Sequence, residues 1–375
     1  MRVIRGATLA AASTALVTAG LMIAPPAWAH SRAHSSFVGD LHHLRNIAST
    51  VPGNGDVNPY GVAVVGRTEG RLRRGDVLVS NFNDKANLQG TGKTIVEISP
   101  GGQVRTFARI SAAALPGACP GGVGLTTALA VVHGWVIVGS LPSSNGLAAT
   151  AKAGCLIVLN SNGAVRETIA GHGINGPWDM AAVSFRHSAA LFVTNVLNGT
   201  VAGHGAVVHR GTVVRLRIAF PDGGAPPAVY GVKKIGSGFA EQTNAAAFVL
   251  APTGAGLGRD DILYIADTDT SAIRAIPDAL TRHTSAGTGR RVTSGGALNL
   301  PLGLAIAPNG DVLTVNGGNG KIVESTPAGV QVARRFLDRS GSPPGSGALF
   351  GLAVAPHGHG IYFVDDASNM LRLLS

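Results

Sequence analysis

Acid is scarce in this chain: its 375 residues carry 20 Asp and Glu against 30 Lys and Arg, a formal net charge of +10. Cysteine occurs only at Cys119 and Cys155, which lack the CxxC spacing of a thiol-redox or zinc motif. Gly-x-Ser-x-Gly is absent; Gly236-Ser237-Gly238 is too short, and no nucleophile and base stand at a recognisable spacing. The segment GTGKT over 90–94 lacks the upstream glycine of a phosphate loop, Asn87 standing there instead, and it leads into a strand pattern. The basic residues form short scattered clusters (Arg71, Arg73 and Arg74; Arg290 and Arg291; Arg334 and Arg335) with no interleaved aromatics, so no nucleic-acid partner is expected. Beyond the first 29 residues no apolar run is long enough to cross a bilayer.

Those 29 residues read as a secretory signal. Arg2 and Arg5 make a basic start, 7–23 is apolar, and Ala27-Trp28-Ala29 is a small-x-small cleavage site. There is no Arg-Arg pair and no Cys near the cleavage point, which speaks against twin-arginine export and a lipoprotein. The expectation is a protein secreted or periplasmic after cleavage at Ala29. It would be a monomer of one domain over 30–375, with 346 residues (375 − 29) and a net charge of +8 (10 − 2). Such a charge suits acidic envelope polymers; a solvated basic surface is the plainer explanation.

What the chain has in plenty is glycine, 53 residues, with 20 prolines, placed as punctuation between apolar runs. One unit recurs about six times. YGVAVVG (60–66), GLAIAP (303–308) and GLAVAP (351–356) are each followed by a second apolar run, a polar turn and a third run. Repeated units of short strands predict an all-β propeller or solenoid. Four strands per blade parse as 60–66, 76–81, 93–99 and 103–110; 128–133, 135–139, 155–159 and 164–169; then 180–185, 190–194, 211–218 and 228–235. The fourth blade parses as 246–250, 261–266, 272–276 and 290–294, and the fifth as 303–307, 311–316, 321–325 and 331–337. The sixth has only three runs, 351–355, 360–364 and 370–374, and the spare segment 42–51 matches the style of the outer strands. A six-bladed β-propeller closed by that N-terminal strand accounts for both, and closure removes exposed sheet edges. The stretches 221–227, 252–258, 281–289 and 338–347 read as loops, and 296–301 leaves room for a degenerate seventh blade.

The unit is clearest in LGLAIAPNGDVLTVNGGNGKIVES, FGLAVAPHGHGIYFVDDASNMLRLL and DDILYIADTDTSAIRAI. It resembles the NHL repeat, over nearly the whole mature chain, and through it the gluconolactonase/senescence-marker superfamily and the streptogramin lyases. The resemblance implies a propeller whose relatives bind proteins, RNA or small ligands, or act as metal-dependent lactonases, esterases or lyases. It does not by itself assign an activity.

In such a ring the loops entering each inner strand and those joining the second and third strands share one face. That places Asn58, Trp178, Asp179, Asn244, Pro301 and Phe350 at the axial mouth, with Asn81, Asn83, Asp84, Asn198, Asp267, Asp269, Asn316, Asn319, Asp365 and Asp366 in the surrounding turns. An Asn/Asp-lined mouth suits a hard cation; Asn and Asp also simply make tight turns. The lactonase-type relatives hold a divalent metal between an acid opening the first blade, a mid-ring Asn and a late-blade Asp. Here those openings offer Asn58, Leu302 and Phe350, leaving Asn244 as amide ligand and Asp179 as the nearby acid. A divalent cation (Ca, Mn or Zn) at Asp179 and Asn244 is therefore the only cofactor the sequence suggests. His172, just ahead of Trp178 and Asp179, completes a small-ligand candidate of imidazole, indole and carboxylate, although a Trp at a blade junction is also ordinary core. His30, His34, His42 and His43 fall near the N-terminus, and His357 and His359 form an HxH in a turn on the opposite face. Cys119 and Cys155 should both emerge on the top of blade two, where a disulfide is geometrically reasonable.

Three functions fit. The first is an exported propeller that binds a small ligand or an envelope or extracellular protein at its top face without catalysis. The second is a divergent metal-dependent lactonase, esterase or lyase, and the third a structural or adhesive envelope protein.

Overall fold

The computed structural model describes residues 35–375. The expected leader, with His30 and His34, lies outside the described residues. The rest forms six antiparallel sheets, five of four strands and one of five.

Blade 1 comprises Val57–Val64, Val77–Asn83, Thr94–Ile98 and Val104–Arg109, from axis to rim, and blade 2 Leu125–Val132, Trp135–Ser140, Leu156–Leu159 and Val165–Ile169. Blade 3 comprises Gly176–Ser184, Ser188–Val196, Val208–Ala219 and the long Ala228–Asn244, with Phe248–Leu250 as a fifth strand. Blade 4 is Pro252–Leu257, Leu263–Asp267, Ala272–Ile276 and Arg290–Ser294, and blade 5 Pro301–Ile306, Val312–Asn316, Lys321–Ser325 and Gln331–Phe336. Blade 6 is Leu349–Val354, Ile361–Asp365 and Met370–Leu374, completed at its rim by Leu44–Ser49. The N-terminal strand thus closes the ring as expected, and no seventh blade forms among the described residues. No helix among them is long and apolar enough to cross a membrane.

One blade departs from the expected parse. Residues 246–250 are not the inner strand of blade 4: Phe248–Leu250 turns back on the end of Ala228–Asn244, pairing Asn244 with Phe248. The inner strand is Pro252–Leu257, within a stretch expected to be a loop. Its sequence, PTGAGL, looks loop-like because the axis demands small residues: a Cβ on Gly254 would lie 2.3 Å from the Leu302 carbonyl oxygen of the next blade.

The same crowding explains the recurring glycine. Every inner strand carries a bulge near its start, between Pro59 and Gly61, Leu125 and Leu129, Pro177 and Asp179, Pro252 and Ala255, Pro301 and Leu304, and Leu349 and Leu352. Gly61, Ala128, Asp179, Gly254, Gly303 and Gly351 occupy corresponding positions at its end, each one residue before Val62, Leu129, Met180, Ala255, Leu304 and Leu352, which pair regularly with the second strand. A Cβ on Gly303 would stand 2.2 Å from the Phe350 oxygen, and one on Gly351 2.0 Å from the Tyr60 oxygen. Second strands such as Leu263–Asp267, Val312–Asn316 and Ile361–Asp365 are buried throughout, which is why they read as continuous apolar runs. Cys119 and Cys155 form a disulfide with Cα atoms 5.1 Å apart.

Gly351→Ala should overpack the junction of blades 6 and 1 and cost about 1–3 kcal/mol. Gly66→Ala, where an added methyl meets nothing within 4 Å, should leave the urea unfolding midpoint unchanged or slightly raised.

Candidate functional site

A bulge re-aims the side chain of the residue within it. Here the residues at the bulges, Tyr60, Trp178, Leu302 and Phe350, converge with Phe82 and Phe248 into one buried apolar cluster. Tyr60 is sandwiched between Phe82 and Phe350, with ring centroids 4.4 and 4.0 Å away, and Trp178 stands against Tyr60 at 5.6 Å. This cluster plugs the axis near its mouth and separates residues that the sequence places side by side.

Asn58 and Asn244 do come together. Both line a 420 Å³ cavity with Leu250, Leu302, Phe350 and Asp366. Asn58 adopts φ +59°, a left-handed conformation that Asn tolerates, and its N–H donates to Asn369 Oδ1 in blade 6 (2.8 Å). Its Oδ1 is buried without a hydrogen-bond partner, an arrangement that costs free energy unless a ligand or water donates to it. Asn244 Oδ1 accepts the N–H groups of Ala246 and Ala247, so it shapes the hairpin that carries Phe248 to the axis. Asp366 contributes the one carboxyl in the cavity wall. Burial, then the neighbouring Asp365, pushes its pKa up to about 7. Burial and the nearby Asp366 likewise hold the Tyr60 hydroxyl well above the usual phenol range, against the Asn58 amide, which lowers it.

The remaining candidates lie elsewhere. Trp178 is 1% exposed inside the plug, an ordinary core position. His172 sits exposed at φ +54° in the turn before blade 3 and lines neither axial cavity. Asp179 faces a separate 60 Å³ cavity walled by all six inner strands, with Val62, Leu129, Ala255, Leu304 and Leu352 around it. Its Oδ1 accepts Met180 N–H (2.7 Å) and its Oδ2 Ala255 N–H (3.2 Å). Burial raises its pKa to about 7 against these two hydrogen bonds. His357 and His359 stand in their turn with ring centroids 6.1 Å apart.

Most of the surrounding Asn and Asp residues hold the blades together. Asn81 Nδ2 donates to Thr50 O and Asn316 Nδ2 to Ala297 O, while Asp267 and Asp365 pair with Arg274 (2.9 Å) and Arg372 (2.7 Å). Glu241, not singled out from the sequence, is fully buried beneath Asn198, whose N–H donates to its Oε1 (3.0 Å). Burial lifts its pKa to about 7 against that bond and Arg210. Nothing in the repeat pointed to it, because Glu241 lies in the extension of the long strand Ala228–Asn244 beyond the expected strand 228–235, where the other blades offer no counterpart. The plug had a visible signal: a large apolar residue immediately before the inner-strand position at Tyr60, Trp178, Leu302 and Phe350.

The residues do not fit the divalent cation that the lactonase resemblance implies. Aromatic rings occupy the axis, Asp179 lies in a different cavity from Asn58 and Asn244, and Asp366 is held near neutral. No group of three His, Cys, Asp or Glu converges among the described residues, whereas a hard dication needs six or more oxygens with enough carboxylate to balance its charge.

Acids raised in the folded state bind their protons more tightly there than in the unfolded chain, so the stability they confer is complete below about pH 4 and lost as pH rises through 7. The protein should therefore melt lower at pH 8 than at pH 5. Asp179→Asn should remove part of that slope, on the order of 5 °C, in thermal unfolding followed across the two pH values. An unchanged slope would show that the carboxyl titrates normally.

No protein-family profile matches the chain, and no curated protein matches it in sequence. Similar solved structures are a gluconolactonase from Xanthomonas campestris (14% identity, TM-score 0.55, covering 91% of this chain and 92% of that one), a luciferin-regenerating enzyme (11%, 0.54, 88% and 94%) and the calcium-binding protein regucalcin from Agrobacterium tumefaciens (11%, 0.51, 88% and 94%). At these identities the likeness establishes the fold they share, the six-bladed propeller.

Proposed function

We propose that this is an exported propeller that binds a small, largely apolar ligand in the 420 Å³ cavity at its top face and does no chemistry on it. The supporting observation is the cavity wall itself: apolar Leu250, Leu302 and Phe350 stand among a few polar residues, Asn58, Asn244, Ser346 and Asp366, the last with its pKa raised to about 7. Its volume suits a small organic molecule, and a few placed polar groups on an apolar wall are what such sites use for orientation. Below pH 7 the protonated Asp366 donates a hydrogen bond, and the side-chain amides and hydroxyl of Asn58, Asn244 and Ser346 supply the other polar groups of the wall. A neutral ligand with both a carbonyl and an N–H or O–H matches that set. Export is supported by the leader-like sequence of 1–29 and by the disulfide.

The second reading, a divergent lactonase or lyase, has the shared fold in its favour and the donor set against it. Asp366, with its pKa near 7, is the group that would exchange protons there.

Ala367 is exposed at the cavity rim. Ala367→Trp should close the entrance without disturbing the core. Neutral lactones, lactams and aromatic esters that raise the melting temperature of the wild type should bind the variant about tenfold more weakly or worse, and wild-type affinity for carbonyl ligands should fall between pH 6 and pH 8. Equal binding by both proteins would sink the assignment. Turnover of a lactone or ester on adding calcium, manganese or zinc would favour the enzyme.

A further inference from the structure

A further cavity lies on the outer flank of the ring, toward the face opposite the mouth, in the crevice between blades 3 and 4. It has a volume of 180 Å³ and is lined by Arg215, Arg217, Tyr230, Lys233 and His283, with Gly231 and Val232. The sheet register explains this concentration of cations. Arg215 pairs with Lys233 and Arg217 with Gly231 on adjacent strands, so alternate residues point to one face of the blade. Gly231 leaves room for the Arg217 stem, which lies 3.3–3.6 Å from where a Cβ would be. The register slips between Arg217 and Ile218, so Tyr230 is the extra residue of a bulge, and its ring, 58% exposed, stands at the cavity rim.

Arg215 is the informative residue. It is only 3% exposed, yet no carboxylate lies within ion-pair distance of it, nor of Arg217, Lys233 or His283, among the described residues. Its Nη1 donates to the Ala279 carbonyl (2.7 Å) and Arg217 Nη2 to the Leu280 carbonyl (2.9 Å), which aligns both guanidinium groups against the loop of blade 4. Asp261, the acid whose charge acts on Arg215, accepts the Leu280 N–H (2.7 Å). Burial and then the Arg217 charge lower the Arg215 pKa, with Asp261 acting the other way. A buried cation without an ion-pair partner is costly; the Ala279 carbonyl offsets part of that cost, and an arriving anion offsets more. Two arginine forks and an ammonium around a small concavity are the chemistry that recognises a planar or tetrahedral oxyanion.

We infer that this crevice is a binding site for an organic oxyanion, a phosphate or carboxylate carried on a ring that packs against Tyr230. The charged end enters between Arg215, Arg217 and Lys233, and the ring remains at the rim against the tyrosine. The site is independent of the cavity at the mouth.

The test is titration calorimetry on the full chain at constant ionic strength set by chloride, with inorganic phosphate, phenyl phosphate, benzoate and neutral phenol as probes. Phenyl phosphate or benzoate should bind, inorganic phosphate more weakly, and phenol not at all. Tighter binding of phenyl phosphate than benzoate identifies phosphate as the preferred group, and the reverse identifies carboxylate. The double variant Arg217→Ala/Lys233→Ala, confined to surface-reaching side chains, should lose about tenfold or more in affinity. Tyr230→Ala should weaken the two ring-bearing anions about threefold and leave inorganic phosphate unchanged. Arg215→Lys, which keeps the charge but loses the fork, should weaken all three anions. No binding above the chloride background, or wild-type affinity in the double variant, overturns the assignment.

Discussion

The ring depends on how six inner strands crowd one axis. Each is bulged at its head, and a bulge frees a carbonyl that must find a donor in the neighbouring blade. Ser80 Oγ donates to Thr126 O, Thr126 Oγ1 to Pro177 O, and Thr194 Oγ1 to Thr253 O, each at 2.7 Å. Thr268 Oγ1 continues the series to Pro301 O at 2.7 Å. A hydroxyl thus fastens each of the first four blades to the next. Around the rest of the ring, Gly303 and Gly351 admit the neighbouring backbone directly. Hydroxyls and glycines are two solutions to one demand, that the blades approach closely without leaving a buried carbonyl unpaired.

That demand also decides where chemistry can reside. The bulges turn Tyr60, Trp178, Leu302 and Phe350 onto the axis, and their packing closes it. Polar groups that would meet at an open mouth are therefore divided: Asn58, Asn244 and Asp366 lie on one side, and Asp179 lies among the inner strands. Asp179 occupies the position that is glycine in four of the other blades. Its side chain does there what a neighbouring backbone oxygen would do, accepting the Ala255 N–H across the blade junction.

The repeat made the blade count and the closing strand legible, because strand runs, polar turns and glycine positions recur at corresponding places. Where one blade departs from the repeat, sequence reasoning failed. PTGAGL has Thr253 as its one β-branched residue, beside a proline and two glycines, and yet forms a strand, since tertiary crowding overrides local propensity. The disulfide was legible because both cysteines fall at loop positions on one blade. The mouth residues were legible as a set and not as an arrangement. Loop position fixes the face on which a residue emerges, while the direction of its side chain depends on a bulge, and a bulge shifts register by one residue without a distinctive composition. Trp178 was drawn into the core for that reason, whereas Asn244 reached the cavity of Asn58 through the unexpected hairpin to Phe248.

Acid scarcity, plain in the composition, gains its meaning from where the carboxylates are placed. Glu97 and Asp76 hold Arg105, Asp267 holds Arg274, and Asp365 holds Arg372, all as fasteners between strands. Glu324 receives Ser36 Oγ and the N–H groups of Phe37 and Val38, tying the N-terminal segment to blade 5. These hydrogen bonds, with Asn309, overcome burial and keep its pKa below the usual range, so its stabilisation is present at neutral pH and lost as pH falls through that lowered value. With many acids committed to the scaffold, Arg215, Arg217 and Lys233 are left side by side on one face of blade 3, with no carboxylate within ion-pair distance among the described residues. A chain richer in acid would neutralise that face internally; this one leaves the counter-charge to come from outside.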